Sequence, residues 1–136
     1  MAQSVDGGSI ESPAGDKAGG NAGDNSGERA FGSASPATVA AVHRAYLEAG
    51  ADIIETNTFG ANRYRLEGFG LGDKVRQINR TGVRLAREAR EVTGVDALVA
   101  GSIGPTARTL APIGLTRPED VQAAFREQIE AMVEAG

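Results

Sequence analysis

Two short strings, Leu47-Glu48-Ala49-Gly50 and Val133-Glu134-Ala135-Gly136, are near-copies, and Gly94 falls between them. Each glycine closes a stretch of helical apolar spacing, where its freedom to adopt the left-handed conformation ends a helix. The glycines step along the chain by 44 and then 42 residues. After Gly50 and after Gly94 a short apolar, β-branched run follows almost at once, as a buried strand would. Helices alternating with strands predict parallel β-structure with crossover connections. A parallel sheet needs both faces covered, or closure into a barrel. Two strands serve three helices here, and two buried strands alone make no stable sheet. The pattern predicts part of a larger α/β fold, either a doubly wound sheet or a (β/α)8 barrel of about 250 residues. After Gly136 the sequence stops where the next strand is due.

Ser35-Pro36 predicts the first helix start, with serine as cap and proline at the first helical position. Val39, Val42, Tyr46 and Leu47 form its apolar stripe. A buried strand is expected over 51–59, and Asn62 to Leu66 reads as a short helical turn beyond it. Asp73 is placed to cap a long second helix, with a stripe of Val75, Ile78, Gly82, Leu85, Ala86, Ala89 and Val92. Arg76, Arg80, Arg84, Arg87 and Arg90 form its solvated side, with Arg84–Glu88 and Arg87–Glu91 as i,i+4 pairs. A second buried strand is expected over 97–103. Thr116 and Glu119 have the spacing of a capping box for the third helix. Its stripe runs through Val121, Phe125, Gln128, Ile129, Met132 and Val133.

Residues 1–32 differ in kind. They hold 8 of the 19 glycines, five acids and two bases, and only Met1, Val5, Ile10 and Phe31 as large apolar residues. Such a segment buries too little apolar surface to offset its ordering entropy, and a disordered acidic leader is expected. The domain is expected over 33–136, cut before its fourth strand.

Composition excludes several classes of function. The 136 residues include no cysteine and one histidine. Disulfides, thiolate zinc sites, iron–sulfur clusters and cysteine nucleophiles are therefore absent from this chain. A formal charge of −4 disfavours a nucleic-acid partner. No apolar run approaches the ~20 residues that span a bilayer. The start of the chain lacks the apolar stretch of a signal peptide, so a cytoplasmic location is expected.

In either candidate fold, ligands bind at the carboxyl ends of the strands. The first strand runs out through Glu55, Thr56, Asn57 and Thr58; the second runs out through Gly101, Ser102, Ile103, Gly104 and Pro105. A carboxylate, hydroxyls, an amide and small residues that admit backbone N–H groups suit a small polar zwitterion. Thr and Asn also simply end strands, and Gly-Pro makes turns, so residue chemistry alone leaves both readings open. His43, a lone helical histidine without nearby partners, does not read as a metal ligand. Arg63, Arg65 and Arg108 lie in loops on the same side and read as solvated, with an anionic donor as their functional alternative.

The string from His43 to Asn62, with Glu55-Thr56-Asn57-Thr58-Phe59-Gly60-Ala61-Asn62 at its end, resembles the homocysteine S-methyltransferase family. Gly82 to Ala89 and Gly101-Ser102-Ile103-Gly104-Pro105 continue the resemblance in register, over about residues 36–136. The resemblance implies an α/β chain forming part of a (β/α)8 TIM barrel, with two strands and three helices present behind the leader. It implies homocysteine as substrate, with Glu55, Thr56, Asn57, Thr58, Ser102 and Gly104 on the substrate side. It implies zinc in the complete domain, where metal binding turns the homocysteine thiol into a thiolate. The methyl donor would be methylcobalamin, S-methylmethionine or betaine.

The family's zinc ligands are three cysteines on later strands, so no catalytic or metal-binding residue is assigned in this chain. Asp6-Gly7-Gly8-Ser9-Ile10 sits near the place of the family's first strand but lacks its apolar run and its methionine. Two functional readings follow. One is a fragment of a homocysteine S-methyltransferase, inactive by itself. The other is a non-catalytic half-barrel that associates with a partner chain or with itself through uncovered edges.

Overall fold

The computed structural model describes residues 35–136. The expected leader and the strand remnant at Asp6–Ile10 lie outside these residues. The elements are α1 (Pro36–Glu48), β1 (Ile53–Glu55), α2 (Arg63–Glu67), a 3₁₀ turn (Gly72–Lys74), α3 (Val75–Thr93), β2 (Leu98–Ala100) and α4 (Pro118–Glu134). The alternation read from the glycines is present, with the short α2 where a helical turn is expected.

The strands pair in parallel, with Ile53 opposite Leu98, Ile54 opposite Val99 and Glu55 opposite Ala100. One further bond at each end, from Leu98 N–H to the Asp52 carbonyl and from Thr56 N–H to the Ala100 carbonyl, both 2.9 Å, completes the ladder. The strands are shorter than expected and only half buried. Successive side chains on a strand point to opposite faces, and the described helices cover one of them. Ile54 enters a core with Leu47, Ala86, Ala89 and Ala97. Its neighbour Ile53 and the facing Leu98 are 57% and 68% exposed on the other side.

At the start of α1 the Ser35 hydroxyl accepts the Thr38 N–H at 3.2 Å, and Pro36 occupies the first turn, as expected. Gly50 follows the helix with φ +95°. The buried face differs from the expected stripe: His43 and Leu47 are buried, whereas Val42 and Tyr46 are exposed. α1 packs on α3, which turns Leu47 into the core. Val42 and Tyr46 are left looking over an open groove beside β1.

Asp73 does not cap α3. It lies in the 3₁₀ turn, and Lys74 occupies the cap position, where its side chain does not cap the helix. The turn supplies the entry instead, through Lys74 N–H to the Leu71 carbonyl at 2.9 Å. The buried face of α3 is Val75, Asn79, Gly82, Val83, Ala86 and Ala89, while Val92 is out in solvent. Gly94 ends the helix at φ +68°.

The capping box of α4 does not form. Pro118, with its fixed φ, takes the first helical position and makes Arg117 the cap residue. Thr116 is held one residue further out in an isolated bridge with Leu110. The Arg117 guanidinium instead grips the Asp120 carboxylate at 2.8 and 3.0 Å. α4 buries Ala124, Gln128, Ala131 and Met132, leaving Ile129 and Val133 exposed. The small residues lie inside because α4 rides close on α3. The arginines of α3 reach across this seam: Arg76 to Glu130 and Glu134 at 2.9 Å each, and Arg80 to Glu134. Arg87 turns to the carbonyls of Ala135 and Gly136. Such exposed pairs are screened by solvent and set alignment more than stability.

Candidate functional site at the strand ends

Beyond the bond from Thr56 N–H to the Ala100 carbonyl the two strands separate, and side chains take over the cross-links that the ladder no longer makes. Ser102 N–H donates to Thr56 Oγ1 at 3.0 Å. The Thr56 and Thr58 hydroxyls are 2.7 Å apart, and Thr58 Oγ1 donates to the Ser102 carbonyl at 2.8 Å. Each hydroxyl has one proton. Thr58 spends its proton on Ser102, so the bond between the threonines runs from Thr56 to Thr58. The result is a closed ring: Ser102 N–H to Thr56, Thr56 to Thr58, Thr58 to the Ser102 carbonyl. Thr56 and Thr58 are 3% and 0% exposed.

The substrate-side residues expected from the sequence therefore occupy two levels. Thr56 and Thr58 lie beneath the surface, with both protons committed. Gly104 is buried beside them, its N–H donating to the Phe59 carbonyl at 2.8 Å. A Cβ at Gly104 would come within 2.6 Å of that carbonyl and of the Phe59 ring, so only glycine allows this approach. Above them, Ser102 Oγ donates to Glu55 Oε2 at 3.1 Å, joining the two strand ends at the surface. Thr58 N–H bonds the Thr56 carbonyl at 2.9 Å, closing a three-residue turn with exposed Asn57 at its apex. Glu55, Asn57 and Ser102 thus form the open layer.

The segment after Thr58 is held from behind. Asn62 caps α2, its Oδ1 accepting Arg65 N–H at 3.2 Å. The Pro105 carbonyl receives Asn62 Nδ2 at 3.4 Å and Arg65 Nε at 3.2 Å, tying α2 to the second strand's loop. Gln128 Nε2 donates to the Thr58 carbonyl at 2.9 Å, and Asn79 Nδ2 to the Ala61 carbonyl at 2.8 Å. The sequence reading assigned no role to Asn79 and placed Gln128 only in an apolar stripe. A carboxamide inside an apolar stripe was the available signal, since burial of such a group demands a partner.

Of the arginines expected in loops, Arg63 and Arg65 lie on α2 and Arg108 in a loop, and all three are engaged within the protein. Arg63 makes a two-bond pair with Glu127 at 2.7 and 3.1 Å. The Arg108 guanidinium lies 5.0 Å from the Tyr64 ring centre and 4.0 Å from the Glu67 carboxylate. His43 is buried under the open groove between α1 and β1, a space of about 450 Å³. Its Nε2 has no hydrogen-bond partner among the described residues, and burial pushes its pKa down from 6.5.

A thiolate zinc site does not fit the donors present. The chain has no cysteine. Among the described residues, no three His, Asp or Glu side chains cluster where a cation could be held. Among the described residues, too, no helix is long and apolar enough to cross a membrane.

Parallel strands backed by helices define an α/β unit, a class of fold whose ligands bind at the carboxyl ends of the strands. The chain belongs to the homocysteine S-methyltransferase family, whose sequence profile matches residues 11–136. The match begins inside the stretch 1–32, upstream of the quoted resemblance. Methionine synthase from Mycobacterium leprae is 38% identical over 104 residues, which make up 74% of this chain and 8% of that protein. Methionine synthase from Mycobacterium tuberculosis is 34% identical over 104 residues, 74% of this chain and 9% of that protein. The homocysteine methyltransferase MmuM from Escherichia coli is similar in structure. Its oxidized form gives a TM-score of 0.65 at 28% identity, covering 87% of this chain and 45% of that one. Its metallated form gives 0.66 at 30% identity, covering 87% and 46%. The chain thus spans under a tenth of the methionine synthases and under half of MmuM.

Proposed function

We propose that this chain forms part of a (β/α)8 barrel and contributes one side of the mouth that binds homocysteine for S-methylation. The observation that carries this reading is the contact between Glu55 and Ser102, 3.1 Å apart at the ends of adjacent parallel strands. An amino-acid substrate brings an ammonium and a carboxylate. Glu55 is the acceptor for the ammonium. The Asn57 amide, projecting from its turn, is a donor for the carboxylate. The Ser102 hydroxyl, already on Glu55, rotates to serve either group. Thr56 and Thr58 retain acceptor capacity only and hold the frame, while Gly104 keeps the backbone close.

In the reaction the homocysteine sulfur forms a bond to the methyl carbon as the donor's bond to that carbon breaks. None of the described residues activates the thiol, and none selects among methylcobalamin, S-methylmethionine and betaine. The purified 136-residue chain is accordingly expected to form no methionine and to hold no stoichiometric zinc. The binding role is tested by calorimetric titration with homocysteine. Saturable binding that Glu55→Gln weakens supports it; binding indifferent to Glu55, or none, overturns it.

A second reading rests on the ladder pair Ile53 and Leu98, which lie side by side, more than half exposed, on the uncovered face of the sheet. Apolar neighbours on a strand pair call for a covering layer. In the non-catalytic reading a partner chain or a second copy supplies it. Sedimentation of the chain and of Leu98→Lys separates the two. A concentration-dependent oligomer dispersed by the lysine supports association; a monomer in both counts against it.

A further inference from the structure

The ladder ends at Glu55, yet the chain continues for several residues as irregular backbone packed under α3 and α4. Its carbonyls at Thr58 and Ala61 no longer face a strand. Buried carbonyls need donors: the Thr58 carbonyl takes the Ala61 N–H at 2.9 Å, and each of the two carbonyls also receives a side-chain amide from a helix. Gln128, on α4, is 0% exposed and lies 2.9 Å from the Thr58 carbonyl. Asn79, on α3, is 0% exposed and reaches the Ala61 carbonyl at 2.8 Å, while also bonding Val75 in its own helix at 2.8 Å. The neighbouring carbonyls fix the orientation of both amides, with nitrogen toward the backbone. The cost is visible: Gln128 Oε1 and Asn79 Oδ1 are buried without a partner among the described residues. A methionine or leucine would fill either space without that cost, but would leave the Ala61 carbonyl without its side-chain donor and the Thr58 carbonyl with the Ala61 N–H alone.

The two clamped carbonyls bracket Phe59 and Gly60. Phe59 is where the Gly104 N–H docks, and Thr58 is a member of the hydroxyl ring. Gly82 completes the support. It lies so close under Thr58 that a Cβ there would approach Thr58 Cγ2 to 2.4 Å. We infer that Gln128 and Asn79 are positioning residues that hold the backbone of Thr58–Ala61, and through it the Asn57 turn, in its binding geometry. The inference rests on the homocysteine reading for what the mouth binds, and on the hydrogen bonds alone for the clamp.

The test uses the full chain and two variants on different helices, Gln128→Met and Asn79→Leu. Each keeps side-chain bulk and removes a donor. Hydrogen exchange by mass spectrometry follows peptides covering 57–62 and 101–106, with peptides of α1 and of residues 84–93 in α3, remote from Asn79, as reference. Homocysteine affinity is measured by calorimetry. Either variant is expected to speed exchange in both loop peptides and weaken binding about tenfold, near the value of one hydrogen bond. Core exchange should stay close to that of the parent chain. Uniform acceleration across the molecule, or unchanged loop exchange, overturns the clamp. If one variant fails to fold, the other decides. If the parent chain takes up no homocysteine, the binding reading fails, and the exchange pattern still upholds or overturns the clamp.

Discussion

The Thr58 hydroxyl lies 2.8 Å from the Ser102 carbonyl and 2.7 Å from the Thr56 hydroxyl, so it closes the ring that joins the ends of both strands. Thr58→Val keeps the shape and leaves the Ser102 carbonyl without its donor and the Thr56 hydroxyl without its acceptor. A loss of about 1–3 kcal/mol is expected, read as a shift of the urea midpoint without a change in slope. Thr58→Ser, which retains the hydroxyl, should lose clearly less. A smaller loss for valine than for serine would show that the methyl, not the ring, is what stabilises this site.

Gly82 is a helical glycine at which alanine should ordinarily stabilise, by about 1 kcal/mol. Here the added Cβ meets Thr58 Cγ2 at 2.4 Å. Gly82→Ala is therefore expected to destabilise by about 1–3 kcal/mol, as overpacking does. Combining it with Thr58→Ser, which removes that methyl, should recover much of the loss in a double-mutant cycle. Strict additivity of the two changes would refute the contact.

Gly104→Ala places a methyl group against the Phe59 carbonyl and ring. The 2.8 Å bond between them should break, and homocysteine affinity should fall by at least about tenfold, the worth of one hydrogen bond. Affinity equal to that of the parent chain would remove Gly104 from the mouth.

His43 gives the chain a specific pH dependence. Burial lowers its pKa in the folded state below 6.5, while the unfolded chain titrates near that value. As pH falls through 6.5 the unfolded state takes up a proton that the folded state resists, so unfolding is favoured. Its full contribution is present above pH 6.5 and is lost as pH falls toward the lowered value. Chemical denaturation at a series of pH values should show this slope, and His43→Leu should flatten it. A slope that persists in His43→Leu would assign the effect to other groups.

Much of this was legible along the chain because it is local. Ser35-Pro36, Gly50 and Gly94 act through the backbone of their own turn, and they bound α1 and α3 in the structure as they do in the string. Glu55 to Thr58 and Ser102 to Gly104 come together at one end of a parallel pair because alternation of helix and strand requires it. Other features depend on what each element meets. Val42, Tyr46, Ile129 and Val133 fit an apolar period, yet they are exposed, because the seams of α1 on α3 and α3 on α4 select neighbouring faces. Thr116 has the residue type of a cap but is engaged with Leu110, leaving Arg117 at the cap position. The sequence by itself determined the order of elements, their stops and the polar strings at the strand ends. Only tertiary structure decided that Thr56 and Thr58 turn inward while Glu55, Asn57 and Ser102 face out. It alone brought Gln128 across 70 residues of chain to the Thr58 carbonyl. A hydrogen bond at that separation has no local signature: a buried donor is recognisable in the sequence, but its acceptor is chosen by the packing of helices.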